Sequence, residues 1–405
     1  MRFSPYFIIL LLTISWQSAS AVDFNGRFSM LGATAQAEEG DFGYQGGDAN
    51  TLSADQQGLR LMLEEGNDKS EWSAHLRVVR THTHGFPASG SHSSSLFRYS
   101  DLDGTMLDES DATASTMIHY QLDRLYYRQH VNDYTISFGR QAIDWGSGRF
   151  WQPLNLFGSF SPTDLDTDYK PGIDAIAVDY FPSSFSSLSG VYAFAPKNQT
   201  VIKNSGALHY RRQVGELSEL AMVAGSITGN TAIGGSFESA WEGIGWRIEG
   251  VHYQLVNTDE QALFWVAGMD YQFNNGTLLS AEYYDNSRGA TSESELVGVF
   301  SDELVASGLQ QQLSRQLIGL GLARDLSPLI HGGYTILGSV LEDSNGSNNW
   351  SLLHQINLTY SVSNESDLMA SLLVPGGKGL SLAGEPRSEF GHLPITFTLR
   401  LRFYF

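Results

Sequence analysis

Six arginines, Arg60, Arg77, Arg211, Arg247, Arg400 and Arg402, occupy alternate positions in segments whose neighbouring positions are largely apolar. A period of two sends successive side chains to opposite faces of a strand. These guanidiniums therefore share the polar face of each segment with His75 and His209. Basic rings in a water-filled passage favour anions. Carboxylates lie on the same faces, at Glu64, Asp179, Glu249, Asp270 and Glu282. Two uses are open: the basic residues select a solute, or arginine–carboxylate pairs brace a wall.

Side chains sorted in this way require amphipathic strands, and the end of the chain shows one. Ile395, Phe397, Leu399, Leu401, Phe403 and Phe405 fall on one parity; Thr396, Thr398, Arg400, Arg402 and Tyr404 fall on the other. A terminal aromatic on such a strand is the pattern of the closing strand of a bacterial outer-membrane β-barrel. The alternation recurs, with Trp72, Ala74, Leu76 and Val78 set against Ser73, His75 and Arg77. Aromatics collect at the ends of apolar faces, where a membrane interface would hold them. The fold class predicted is all-β: a transmembrane, antiparallel, up-and-down barrel of about 18 strands, with about 16 as the alternative and both termini periplasmic. Expected strands include 56–66, 133–145 and 391–405. Short connections at Asn67, Asn132, Asn275 and Asn364 read as periplasmic turns, and long stretches near 36–55, 83–114, 146–171, 288–312 and 375–390 read as extracellular loops.

The opening residues suit export. Met1-Arg2-Phe3, an apolar run from Tyr6 to Ile14 and Ala19-Ser20-Ala21 describe a signal peptide over 1–21, cleaved after Ala21. Residues 22–405 then form a single barrel domain. With no cysteine, no disulfide framework is available. The net charge of −20 becomes −21 once Arg2 leaves, because residues 1–21 carry no acid. Such a chain is poorly suited to nucleic acid. Its acids cluster at Asp101, Asp103, Asp108, Glu109 and Asp111, and again at Glu293, Glu295, Asp302 and Glu303. Both clusters read as solvated loops, or as sites where divalent cations bridge to lipopolysaccharide phosphate.

The densest motif runs from Gly139-Arg140-Gln141 through Trp145-Gly146, Arg149, Trp151 and Pro153 to Asp164, Asp166, Asp168, Tyr169 and Lys170. Here a strand passes into a long loop able to fold back into a lumen. Arg149, Trp151, Asp164, Tyr169 and Lys170 are then candidate lining, and a cap packed against the wall is the alternative. Arg140 falls on the apolar parity of Tyr134, Ile136 and Phe138, so it sits above the bilayer or follows a bulge that turns it inward.

With its G-R-Q stretch, W-G pair and aromatic, proline-containing loop, the chain resembles the alginate-export and related porin-like families of outer-membrane barrels. The motif covers about thirty residues of the chain. Only Arg140 and Gln141 match it directly, while Trp145, Gly146 and Arg149 belong to the wider porin-like pattern. The resemblance implies a conduit, in alginate export one for an acidic polysaccharide; the acidic net charge departs from that.

Other site signals fail. Asp164, Asp166 and Asp168 open like a calcium loop, but Tyr169 replaces the required glycine and Ala175 the bidentate glutamate. His82, His84 and His92 lack the supporting partners of a metal site. No G-x-S-x-G, S-x-x-K or H-E-x-x-H motif occurs. Asn198-Gln199-Thr200 matches a glycosylation sequon that carries no weight in a bacterial outer membrane. The expectation is a channel for small polar or anionic solutes, without cofactor, metal or catalytic residues; an acidic-polysaccharide export barrel and an outer-membrane hydrolase are the alternatives. Expected partners are outer-membrane lipid and lipopolysaccharide, the barrel-assembly machinery through the last strand, and a periplasmic or inner-membrane export partner.

Overall fold

The computed structural model describes residues 22–44, 46, 50–84, 97–100, 104–105, 115–198 and 201–405. The expected signal peptide, the acids at Asp101, Asp103, Asp108, Glu109 and Asp111, His92, and Gln199-Thr200 of the sequon lie outside them.

One antiparallel sheet of nineteen strands holds the described residues together. The first half comprises β1 (Asp23–Gln36), β2 (Thr51–Gly66), β3 (Ser70–His84), β4 (Gly104–Thr105), β5 (Thr116–Val131), β6 (Tyr134–Gln141), β7 (Ile173–Ser183), β8 (Ser186–Ala193), β9 (Ser205–Gln213) and β10 (Glu219–Ile227). It continues with β11 (Asn230–Trp241), β12 (Ile244–Gln254), β13 (Gln261–Gln272), β14 (Leu278–Asn286), β15 (Gln316–Ser327), β16 (Ile330–Glu342), β17 (Asn348–Ser363), β18 (Ser366–Gly376) and β19 (Ile395–Tyr404). Each pairs with its neighbour in sequence, except that β3 pairs with β5 past β4, and β1 pairs with β19 from Gln36↔Ile395 to Arg27↔Tyr404, which closes the cylinder. The two-residue β4 only extends the edge of β5, opposite Tyr120 and His119. Eighteen strands therefore form the wall.

The parity of the last strand survives in three dimensions. Phe397 and Leu399 are 42% and 44% exposed on the outer surface, whereas Thr398 and Arg400 between them are 6% and 4% exposed. With lipid outside, apolar side chains need no internal partner, so the usual burial rule is inverted. Turns on the side where β1 begins and β19 ends are short. There Asn132 at φ 52° and Glu242 at φ 48° adopt the left-handed region that tight hairpins demand. The longest connections lie at the other, extracellular end.

Three boundaries of these strands depart from expectation by four residues or more, one of them the start of β19, at Ile395 rather than 391. β2 begins at Thr51 rather than 56, because Leu52 to Gln56 pair with Ala35 to Leu31 on β1. β6 stops at Gln141 instead of 145. Just before its end Gly139, at φ 118°, lies where a Cβ would come 2.2 Å from the Leu125 carbonyl oxygen. That backbone turn brings both Arg140 and Gln141 into the buried interior. A second irregularity lies in β5, where the register shifts between His75 and Leu76 of β3. It leaves Asp123 as an extra residue, buried beside inward-facing Arg124.

Candidate functional site

The connection 142–172 between β6 and β7 enters the barrel and follows the inner wall, meeting the strands in their order round the cylinder. Trp145 stacks on His209 of β9, ring centroids 4.9 Å apart. The N–H groups of Ser147 (2.6 Å), Gly148 (3.3 Å) and Leu154 (2.6 Å) donate to Glu249 of β12. Those of Arg149 (2.5 Å), Phe150 (2.8 Å) and Trp151 (3.4 Å) donate to Glu282 of β14. The Phe150 ring lies on Gly319 of β15, where a Cβ would stand 2.5 Å from it. Further on, the Thr163 carbonyl accepts from Gln355 of β17 at 3.3 Å, and the Leu165 carbonyl accepts from Arg400 of β19. Asp166 and Asp168 then meet Arg27 of β1, and Tyr169 meets Arg60 of β2 and His75 of β3. The Lys170 carbonyl accepts from Arg124 of β5 at 3.2 Å. The segment is thus a girdle along the inner wall.

Why this sequence turns so sharply is visible in its glycines. A Cβ on Gly148 would stand 1.8 Å from the Trp151 carbonyl oxygen, and one on Gly172 would stand 2.3 Å from that of Asp123. Trp151, Leu154, Leu156 and Phe157 are buried and anchor the first half apolarly. The second half is anchored by charge.

Charge concentrates on β1, β2, β3, β5 and β19. Arg27, 4% exposed, donates to Asp166 at 2.6 and 2.8 Å and to Asp168 at 2.8 Å. Arg402 reaches Asp168 at 2.5 Å and Asp367 at 3.0 Å. Asp123 receives Arg60 at 2.6 Å and Arg98 at 3.2 Å. The Tyr169 ring lies 4.3 Å from the Arg60 guanidinium carbon and 4.9 Å from that of Arg27. Arg77, Arg124 and Arg400 complete the cluster without a carboxylate partner among the described residues. Among the described residues, seven guanidiniums thus gather with the four carboxylates that pair with them and with Glu64, which bonds His75 at 2.9 Å, so guanidinium outnumbers carboxylate there.

On the girdle itself the protonation states follow from this field. Burial pushes the Asp166 carboxyl up, but the hydrogen bonds and charge of Arg27, with Arg400 and Arg402, outweigh it and hold it below the ordinary range. Asp168 is held down against burial by Tyr404 and Arg402. Asp164, turned onto its own loop at the Ser161 N–H (2.8 Å), is raised by burial. Burial lowers Lys170 to about 8 although Asp144 lies 3.0 Å away; its ammonium also donates to Asn155 at 2.5 Å.

Of the residues expected to line the passage, Arg60, Arg77, Arg400 and Arg402 come together in the basic cluster. Arg247 lies on the opposite wall, bonded to Asp270 and to Glu282 at 3.1 Å. Arg149 joins it at Asp270, 3.2 Å away, with a side chain 56% exposed. Arg211 lies apart at the periplasmic mouth, 3.5 Å from Glu219. Arg140 is turned inward but sealed into the wall by Asp174, at 2.8 and 3.0 Å, and by the carbonyls of Leu122 and Ser100. Trp145, Gly146 and Trp151 serve girdle packing, and Pro153 lies half-buried between them and Leu154. His82 and His84 belong to β3 rather than to a loop, and His82 bonds Thr116 at 2.6 Å. The acids of loop 287–315 are engaged internally: Glu293 by Lys378 and Arg387, Asp302 by Arg288, and Glu303 by Asn257 at 2.8 Å.

Sequence reasoning missed Arg27, Arg98, Arg124 and the carboxylates Asp123 and Asp367. Arg27 shares its parity with Asn25 and Ser29, a signal that was present. For Asp123 and Arg124, adjacent and both inward, the bulge destroys the parity signal.

No protein-family model matches the chain, and no curated protein matches it by sequence. Solved structures do match. Acinetobacter baumannii OccAB4 is similar with a TM-score of 0.59 at 9% identity, over 95% of this chain and 98% of that one. The outer membrane protein opdK from Pseudomonas aeruginosa gives 0.55 at 9% identity, over 95% and 99%. OpdK with vanillate gives 0.53 at 8% identity, over 95% and 98%. The fold is that of an outer-membrane porin, and the bacterial outer membrane is where such a barrel resides. The alginate-export resemblance finds no support in these structures.

Proposed function

We propose that the chain is a passive outer-membrane channel admitting small anionic or polar solutes past the girdle. The observation that carries this reading is the surplus of guanidiniums gathered where 142–172 passes β19, β1, β2, β3 and β5. A fixed positive surplus in a narrow wet passage raises the local concentration of anions and repels cations. A structural neighbour is seen with vanillate, an aromatic carboxylate, which is a solute of the size and charge we have in mind. The girdle also bears on export of an acidic polysaccharide: a segment tied to ten strands narrows the bore along its whole circuit, which favours small solutes over a polymer. We assign no catalytic residue.

Lipid and lipopolysaccharide outside the wall, and the assembly machinery at β19, remain our expected partners; a periplasmic or inner-membrane export partner belongs to the polymer reading. Swelling of proteoliposomes tests the function. Vanillate should enter faster than its neutral amide and much faster than an amine of equal size. Equal rates for all three would overturn the anionic preference, and no swelling would overturn the channel.

A further inference from the structure

The outer wall carries a polar group where lipid should meet only apolar side chains. On β2 the inward parity is that of Arg60, so Asp55 and Gln57 point outward; on β3 it is that of His75 and Arg77, so Arg80 and His82 point outward. Arg80 donates to Asp55 at 2.6 Å and to Gln57 at 2.7 Å. Their rows continue through Gly32 and Met30 of β1 to Leu399 and Leu401 of β19. The rows climb toward the extracellular end. One of them starts at Arg27, near the beginning of β1, and passes through Arg60 and Arg77 to Gln121, near the extracellular end of β5. Strand tilt makes that climb about one residue per strand. Asp55 and Arg80 therefore stand level with Phe397, inside the apolar band. Charge at that depth is disfavoured unless something polar covers it.

Beside the ion pair the wall is hollow. Gly32, Thr34, Ser53, Asp55, His82 and the rim residues Phe397 and Leu399 line a shallow, open depression of about 390 Å³ on the β1 side. On the β5 side, an equal number of strands from the ion pair, Tyr120 points outward and is 37% exposed. Its row runs through Val78 and Leu59 to Phe28, three strands away, so tilt raises it about level with Gly32.

We infer that this face binds a second copy of the chain about a two-fold axis along the membrane normal, passing between β2 and β3. Such an axis places each feature against the feature equally far on the other side. Arg80 then faces Asp55 of the second copy, and Asp55 faces its Arg80, giving a closed ring of four charges. Tyr120 of the second copy enters the hollow, where Ser53, Asp55 and His82 offer partners for its hydroxyl. A lipid acyl chain would leave the ion pair without polar cover. An anionic headgroup would meet an arginine already neutralised by Asp55.

Because the chain has no cysteine, the contact can be tested with single thiols. Gly32→Cys and Tyr120→Cys variants, at positions the axis sets opposite each other and with open space beside Gly32, carry different tags and are co-expressed and oxidised in intact outer membranes. A disulfide joining the two tags is expected in the mixture, with much less in either variant alone. Asp55→Arg, added to both, should abolish it, and Asp55→Arg with Arg80→Asp should restore it. Heat-modifiable migration confirms that each variant is a folded barrel. Absence of the mixed disulfide between folded barrels, or its persistence in Asp55→Arg, overturns the inference. So does a single-barrel mass by native mass spectrometry both in detergent and in lipid nanodiscs.

Discussion

Arg27 on the first strand grips Asp166 of the girdle through two parallel N–H···O contacts, 2.8 and 2.6 Å long, across 139 residues of sequence. A fork of this kind fixes direction as well as distance. It joins the point where the barrel closes, β1 against β19, to the segment that narrows its bore. Arg27→Ala leaves a carboxylate without its cation and is expected to weaken girdle docking by about 2–3 kcal/mol, below the full value of a buried pair because Asp166 is partly exposed. The barrel should still assemble. Bilayer recordings should show larger, noisier openings than the wild type, and unchanged traces would remove Arg27 from this role.

Glu249 and Glu282 hold the other half of the girdle by its backbone. Each carboxylate accepts three main-chain N–H groups. Replacing either with glutamine turns one of its acceptor oxygens into a donor that the facing N–H groups cannot use, and should cost about 1–3 kcal/mol locally. Hydrogen exchange at 147–154 is the direct readout, with a rise of about tenfold or more expected, since tenfold corresponds to about 1.4 kcal/mol.

Gly148→Ala tests the turn itself. The added methyl would meet the Trp151 carbonyl oxygen at 1.8 Å, so the loop backbone must move. The prediction is displacement of Phe150 from its seat on Gly319, seen as protease sensitivity near residue 150 while the heat-modifiable barrel persists. A variant as resistant as the wild type would contradict the geometry.

Acid should release the girdle late. Both Asp166 and Asp168 are held below the usual carboxylate range, so their docked forms bind fewer protons than the released ones. Their stabilisation is complete above the free value of about 3.9 and is lost as pH falls through the lower docked values. Conductance should therefore be steady from pH 7 to about 5 and change only below about 4. A transition centred near pH 6 would point to histidine control instead.

Lys170 acts in the opposite range. Its ammonium is lowered to about 8, so from there up to its free value near 10.5 the docked girdle carries fewer protons than a released one. Docking strengthens as pH rises through that window. One positive charge is lost with it, and anion selectivity should fall between pH 7 and 9. Lys170→Met should already show the reduced selectivity at pH 7.

The wall was legible in sequence because lipid and water demand different side chains on alternate residues, as Phe397, Thr398, Leu399 and Arg400 show. That rule needs no knowledge of which strands pair. The interior was less legible wherever parity breaks, at the Asp123 bulge and at Gly139, which turns Arg140 inward. That the loop folds back was readable from its length and composition, but its partners on the wall left no local trace: Ser147 finds its acceptor 102 residues away, and nothing near Glu249 marks it as an anchor. The Phe150 seat depends on Gly319, whose lack of a side chain reads in sequence only as a gap in the polar face.

Anion preference is read most directly from the reversal potential of the purified barrel in a planar bilayer under a potassium chloride gradient. Its sign should show chloride favoured over potassium, and should move toward potassium in a combined Arg60→Gln, Arg77→Gln, Arg400→Gln variant. A barrel that conducts nothing, or one that prefers potassium before any arginine is removed, would contradict it.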